Sequence, residues 1–451
     1  MKSLYVLSTV VILLLAVRCS SFLDAKPDGS LVLPHTLRDL QALLDNESRM
    51  LDGYAVAGEN GSDYYTLDDA SWLSLFIEPR STYIWAENTQ QGGDWSNGYE
   101  RIFYCNVVLD EVDAAAVGSL TEQHRQAIKG SALFFRGFTY LSLSQLFTPP
   151  YVSNMEDSPY GLPLKMHADI HEPLHRASVL ETYTHILKDL SQAAALLPEQ
   201  TVAAVRPSKT TAYAALARLH LQLGDYKLAL EQVQKVLAKH SELIDYNTLD
   251  TTAEFPFARL NKEVLLHASM STSKGMLKPD YAWVDSALLA LYSPDDLRRS
   301  VLFRKDGNGF RFKGSMIQRY SPLFGGLAVD EMYLIAAECQ VRLEQEGAAR
   351  GMLNKLLATR WRSGTYIPVG LELSGHKLLA RILEERRKQL CFRGGIRWPD
   401  LRRLNQDPQL AKTLYRNLMG KTYSLAPGDR RYTFLIPYTV IAKNNLMQNP
   451  R

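Results

Sequence analysis

The sequence predicts a mostly α-helical fold: tetratricopeptide-like helical repeats form a scaffold, and a loop-rich region with short β-hairpins is inserted into it. Three observations predict this. Residues 212–223 and 226–237 read as a helical hairpin turned by Gly224-Asp225, with small Ala217 and Ala229 letting the two backbones approach and Val233 and Val236 facing the partner helix. A second copy runs over 331–361, with Tyr333, Ala336, Ala337 and Val341 before a turn at Gly347 and Leu353, Leu356 and Leu357 after it. Between the copies the helical period is lost, and short apolar runs bounded by glycine-rich turns replace it.

Taken in order, the chain opens with Met1-Lys2-Ser3 and an apolar run over 4–17, the charged and hydrophobic parts of a secretory signal (1–18) too short to span a bilayer. Cys19 follows Leu15-Ala16-Val17-Arg18, where a bacterial lipobox places the cysteine that becomes lipidated; Arg18 stands where a small residue is usual, so an ordinary signal with an incidental cysteine is the alternative. Thr36 caps a helix bearing Leu37, Leu40, Leu43 and Leu44 on one side, and a second helix starts near Tyr99 and carries Ile102, Phe103, Val107 and Leu109. A long helix over 121–147 turns Ala132, Phe135, Phe138, Leu141 and Leu146 inward and stops at Pro149-Pro150. Ser178-Val179-Leu180-Glu181 is a capping box that starts the next helix. In the inserted region, 264–267 reads as a strand, and 301–305 and 310–313 flank Asp306-Gly307-Asn308-Gly309 as a hairpin. The same turn begins like a calcium loop, but Phe310 occupies a ligand position and no Glu closes it.

The last helical segment carries Leu379, Ile382, Leu383 and Leu390 on one face, with Arg386 among them. An arginine there needs a buried carboxylate, and Asp400 is a candidate. Gly394-Gly395 end that helix, and Trp398-Pro399-Asp400 begin another. Seven basic side chains lie between Arg386 and Arg403, but Glu384, Glu385 and Asp400 are interleaved with them, so the segment reads as ion pairs rather than a nucleic-acid patch.

Composition fits an exported globular chain: 451 residues, 46% hydrophobic, 22% charged, with a net charge of +3 that favours no polyanionic partner. Cys105, Cys339 and Cys391 sit on apolar helical patterns and read as buried thiols, one disulfide being the alternative; no spacing suggests a metal site or cofactor. No phosphate loop, zinc helix or nucleophile elbow is present, and Asp295-Asp296 after Pro294 reads as a helix start, so no catalytic residue is assigned.

Several stretches together resemble the SusD/RagB family of outer-membrane nutrient-binding lipoproteins. Glu385-Arg386, Leu390, Phe392, Gly394, Arg397-Trp398, Asp400-Leu401 and Arg403 match its C-terminal signature, with Gln389 and Arg393 standing where Glu is usual. Cys19-Ser20-Ser21-Phe22-Leu23-Asp24, the Trp95, Tyr99, Ile102, Asn106 series, the helix over 129–140 (Ser131 replacing Glu) and Tyr160-Gly161-Leu162-Pro163-Leu164 extend the resemblance. It implies a single domain over 19–451, comprising a helical scaffold (about 36–240 and 328–405), a ligand-binding insertion (about 245–327) and an irregular C-terminal segment (about 406–451). It further implies a lipid-anchored protein on the outer-membrane surface that binds an oligosaccharide or peptide without catalysis and passes it to a SusC-like TonB-dependent transporter. A helical-repeat protein scaffold and a secreted hydrolase are the competing readings.

Sugar rings stack their C–H faces on aromatic side chains and need polar groups at the edge. Two aromatic-rich stretches lie off the repeats: Tyr64, Tyr65, Trp72, Tyr83 and Trp85, then Tyr281, Trp283, Tyr292 and Tyr320. The candidate ligand contacts are Trp72, Trp85, Tyr281, Trp283 and Tyr320, with Arg80, Glu87 and Asn88 as polar neighbours.

Overall fold

The computed structural model describes residues 34–451 apart from 153–156, 202, 273–275 and 278–279. The predicted signal and Cys19 lie outside the described residues.

Ten helices carry the frame: α1 (Leu37–Leu44), α2 (Gly92–Glu111), α3 (Glu122–Phe147), α4 (Val179–Leu196), α5 (Lys209–Leu223), α6 (Tyr226–Leu237), α7 (Val329–Arg342), α8 (Glu346–Ala358), α9 (Gly375–Gln389) and α10 (Arg397–Leu404). Their starts follow the capping chemistry in the sequence. Thr36, Thr121 and Ser178 each accept from the backbone N–H three residues on, while the side chain at that third position accepts in return at α1 and α4 (Asp39 and Glu181). Gly224, at φ 80°, turns α5 into α6 in the left-handed conformation that costs glycine nothing.

Each helix packs on the next, α2 on α3, α3 on α4, α4 on α5, α5 on α6 and α7 on α8, and α6 packs directly on α7 although residues 238–328 intervene. The repeat is continuous in space and interrupted in sequence. Ala212, Ala214, Ala215, Ala217 and Ala229 are fully buried along this stack, as are Ala336, Ala337 and Ala349, so small side chains set the close helix spacing.

Four two-stranded antiparallel ladders complete the structure: β1 (Tyr65–Thr66) with β3 (Trp283–Val284), β2 (Val264–Leu266) with β6 (Leu327–Ala328), β4 (Phe303–Asp306) with β5 (Gly309–Phe312), and β7 (Leu414–Leu418) with β8 (Lys421–Leu425). A second apolar core, separate from that of the helices, gathers Tyr64, Tyr65, Tyr83, Tyr292, Phe303, Phe324 and Phe392.

Three local expectations are corrected. The second copy turns at Leu343–Gln345 with Glu344 left-handed (φ 61°), and Gly347 lies inside α8. The second helix begins at Gly92 rather than near Tyr99, because buried Asp94 and Trp95 already pack in its first turn. Val301 and Leu302 end a short helix (Arg298–Leu302), so the hairpin starts at Phe303. The helix start read at Asp295-Asp296 is present: that helix begins at Arg298, whose backbone N–H donates to Asp296 Oδ1 at 3.2 Å, and the buried carboxylate also accepts from Arg298 Nη2 at 2.6 Å and lies 3.0 Å from Lys388 Nζ, with Glu385 completing the cluster.

Candidate functional site

Arg386 is 1% exposed, and its Nε donates to Asp400 Oδ2 at 2.8 Å. Arg403 holds the other Asp400 oxygen at 2.9 Å and Glu338 at 2.8 Å, while Arg218 grips Glu331 with two bonds of 3.0 and 2.6 Å. Burial alone would raise the Asp400 carboxyl; Arg386 and Arg403 hold it below its ordinary value instead. The two departures from the family signature fall in this network. Arg393 pairs with buried Asp330, which a glutamate there would repel, and neutral Gln389 accepts from Arg360 at 3.2 Å and donates to Asp330 at 2.8 Å. The helix α9 ends at Leu390, and the corner that follows is left-handed at Phe392, Gly394 and Gly395. Trp398 is fully buried there, and a Cβ on Gly58 or Gly61 would lie 2.8 or 2.7 Å from its atoms. All of this is internal and holds the chain ends together.

The aromatic stretches behave differently. β1 and β3 pair Tyr65 with Val284 and Thr66 with Trp283, so the early and middle stretches, over 200 residues apart in sequence, form one surface. Asp68 joins them. Its carboxylate accepts from Ser71 N at 2.7 Å to start the short helix bearing Trp72; that bond, with smaller contributions from Trp283 and the Arg311 charge, holds it below the ordinary aspartate value. Trp72 is half-buried, its indole N–H donating to Arg80 O at 3.2 Å with the Arg80 guanidinium 5.7 Å from the ring. Trp283 is half-buried, with the Arg311 guanidinium 3.1 Å from its ring centroid and Gly309 packed against its six-membered ring.

Trp85 does not belong to this surface. It is 3% exposed, its indole N–H donates to Gly61 O at 3.0 Å, and with Tyr65 and Tyr83 it surrounds the buried Arg416 guanidinium at 5.2, 5.0 and 3.8 Å. Its aromatic faces are spent on that cation. Glu87 and Asn88 are exposed beside the C-terminal residues, where Arg451 donates to Glu87 O. Tyr281 packs half-buried on the second core, as does Trp72, and the Tyr320 ring packs tilted against Phe255 at 4.9 Å.

Periodicity missed the apolar rim. Phe76 and Ile77 are 80% and 75% exposed, Leu73 is exposed beside them, and the tip of the β7–β8 hairpin reaches the same place through Met419 N, which donates to Asp69 at 2.8 Å. The signal was present as the run Leu75-Phe76-Ile77 between two helices too short to bury it.

A polar pocket of about 460 Å³ is lined by Glu47, Asp52, Asn97, Arg259, His267 and Arg319. A smaller one of about 150 Å³ shares Asn97 and Ser271 with it and reaches Glu78 and Thr82 on the helix Ile77–Tyr83 that also carries Arg80. Among the described residues no group of His, Cys, Asp and Glu could hold a metal ion, and no helix is long and apolar enough to cross a membrane.

Residues 21–221 match a SusD-like family described as starch-binding and associating with the outer membrane, and residues 330–450 match the SusD family. A curated relative, SusD-like protein P2 of Formosa agariphila, is 26% identical over 243 residues, 52% of this chain; the match spans about half of that relative, 46% of its length. Among solved structures, a SusD superfamily protein of Bacteroides thetaiotaomicron superposes with a TM-score of 0.75 at 20% identity, covering 92% of this chain and 100% of that one. A sugar-binding-type protein of Bacteroides vulgatus gives 0.75 at 20% over 93% and 99%, and a laminarin-binding SusD-like protein gives 0.67 at 18% over 91% and 97%. At these identities the structural likeness concerns the fold.

Proposed function

The chain belongs to the SusD/RagB family, and from that premise we propose that it captures a glycan fragment at the outer-membrane surface without catalysis and passes it to a TonB-dependent transporter. The observation that carries this reading is the β1–β3 pairing, which joins the strand leading into the Trp72/Arg80 segment to the strand bearing Trp283, whose ring Arg311 covers. Half-buried Trp72, with Arg80 beside it, offers a sugar ring an apolar face and its hydroxyls a charged partner, while Trp283, one face taken by Arg311, contributes the part of its ring left uncovered. The helical stack then serves as the rigid frame, and the insertion at about 245–327 as the ligand face. A laminarin-binding relative of the same fold makes β-glucan oligosaccharides the first ligands to assay.

Calorimetric titration of laminarin oligosaccharides into the wild type, Trp72→Ala and Trp283→Ala proteins tests the reading. Loss of about 1–3 kcal/mol of binding per tryptophan, with melting temperature changed little for Trp72→Ala, is the expected result. Unchanged affinity in both variants across a glycan panel, or turnover of the oligosaccharide by the wild type, refutes it. For anchoring, lipidation at Cys19 predicts that Cys19→Ala moves the protein from the membrane to the soluble fraction; equal partitioning of the two forms counts against it.

A further inference from the structure

We infer that the 460 Å³ polar pocket is a second subsite, which takes a sugar ring bearing a carboxylate. This rests on the glycan-binding reading and adds a charge preference to it. His267 lines the pocket at 4% exposure, and its Nε2 accepts from Arg259 Nε at 3.2 Å. Arginine only donates, so Nε2 carries no proton and the neutral ring holds its proton on Nδ1. That Nδ1–H has no acceptor among the described residues. Burial, then the Arg259 charge, lower the His267 pKa, which keeps the ring in this neutral form.

The acids at the pocket are already engaged. Glu47 accepts from Arg259 Nη2 at 2.8 Å, and Asp52 accepts from Ser269 Oγ at 2.6 Å. Arg319 is exposed at the same pocket, and its guanidinium has no ion-pair partner among the described residues. The pocket therefore offers a ligand one uncommitted cationic donor, the Arg319 guanidinium, while Asn97, whose amide donates to Ser271 Oγ at 3.1 Å, supplies an amide oxygen for hydroxyl groups; His267 Nδ1, though unpaired, is closed off from the pocket and shapes its wall. A planar carboxylate matches a guanidinium fork. A pocket of this volume admits one or two pyranose rings. Arg259 is spent on Glu47 and His267, so Arg319 is the group that supplies the charge preference.

The test uses a galacturonate disaccharide and its dimethyl ester, the neutral counterpart of nearly the same shape, titrated into the mature protein at low and moderate salt. The acid is expected to bind about tenfold tighter than the ester, the scale of one charge-assisted hydrogen bond, with the preference shrinking as salt rises. Arg319→Ala, an exposed substitution that leaves the fold intact, should bring the acid to the affinity of the ester, and Trp72→Ala should leave the acid preference in place. Equal binding of acid and ester, or an acid preference that survives Arg319→Ala, overturns the inference. Because Trp72→Ala reports on the aromatic surface alone, loss of the acid preference with neutral oligosaccharide binding intact refutes this subsite without touching the proposed function, and the converse result refutes the aromatic site without touching this one.

Discussion

Replacing Arg386 by alanine tests whether the glycine corner is a structural joint. The side chain is 1% exposed and bridges α9 to Asp400 on α10 at 2.8 Å, with Glu331 of α7 3.7 Å from Nη2. Breaking a buried ion pair costs about 3–5 kcal/mol because the partner charge stays desolvated. Here Asp400 keeps Arg403 and Glu331 keeps Arg218, so neither carboxylate is left alone and the expected loss sits at the lower end, about 3 kcal/mol. With an unfolding entropy of about 2.1 cal/mol/K per residue over the roughly 410 described residues, that corresponds to a Tm about 3 °C lower. The assay is differential scanning calorimetry of wild type, Arg386→Ala and Arg386→Met, with glycan affinity measured in parallel. Methionine restores the buried stem but not the charge, so it should recover only a minor part of the loss. An alanine variant with unchanged Tm and abolished ligand binding would refute the structural assignment and place Arg386 in the site.

Two further outcomes follow from groups described above or buried beside them. Glu59 is fully buried, and burial pushes its carboxyl up to about 8. Between its unfolded value near 4.5 and about 8 the folded chain retains a proton that the unfolded chain has lost, so stability should fall as pH rises through that window, by at most about 1.4 kcal/mol per unit; Glu59→Gln should flatten this slope, and urea denaturation at pH 5 and 7.5 showing parallel wild-type and variant slopes would contradict it. Ser178 accepts from Glu181 N at 3.1 Å while Glu181 accepts from Ser178 N at 2.7 Å, so Ser178→Ala should cost about 1 kcal/mol in chemical denaturation, and a change near zero would show that α4 is held by packing alone.

Local chemistry made much of the frame legible in the sequence. Capping boxes at Thr36 and Ser178, the left-handed Gly224, and alanines at helical spacing are short-range signals, and each fixed a helix end or a close helix contact without reference to distant residues. The burial of Arg386 was legible for the same reason: one face of a helix was otherwise apolar, and Asp400 stood just past the glycine corner as a candidate partner. What sequence could not give was any pairing across long separations. Whether Trp85 stacks on a ligand or encloses Arg416 depends on a hairpin more than 300 residues later, and the closure of Lys388 and Glu385 over the local Asp296–Arg298 pair depends on where α9 docks. The compensation of Gln389 and Arg393 by Arg360 and Asp330 is of the same kind. Composition and period determine which face of an element is apolar; which surface covers that face, and therefore which aromatic remains exposed and which donor remains uncommitted, is decided only when the inserted region folds back on the early strands through β1 and β3.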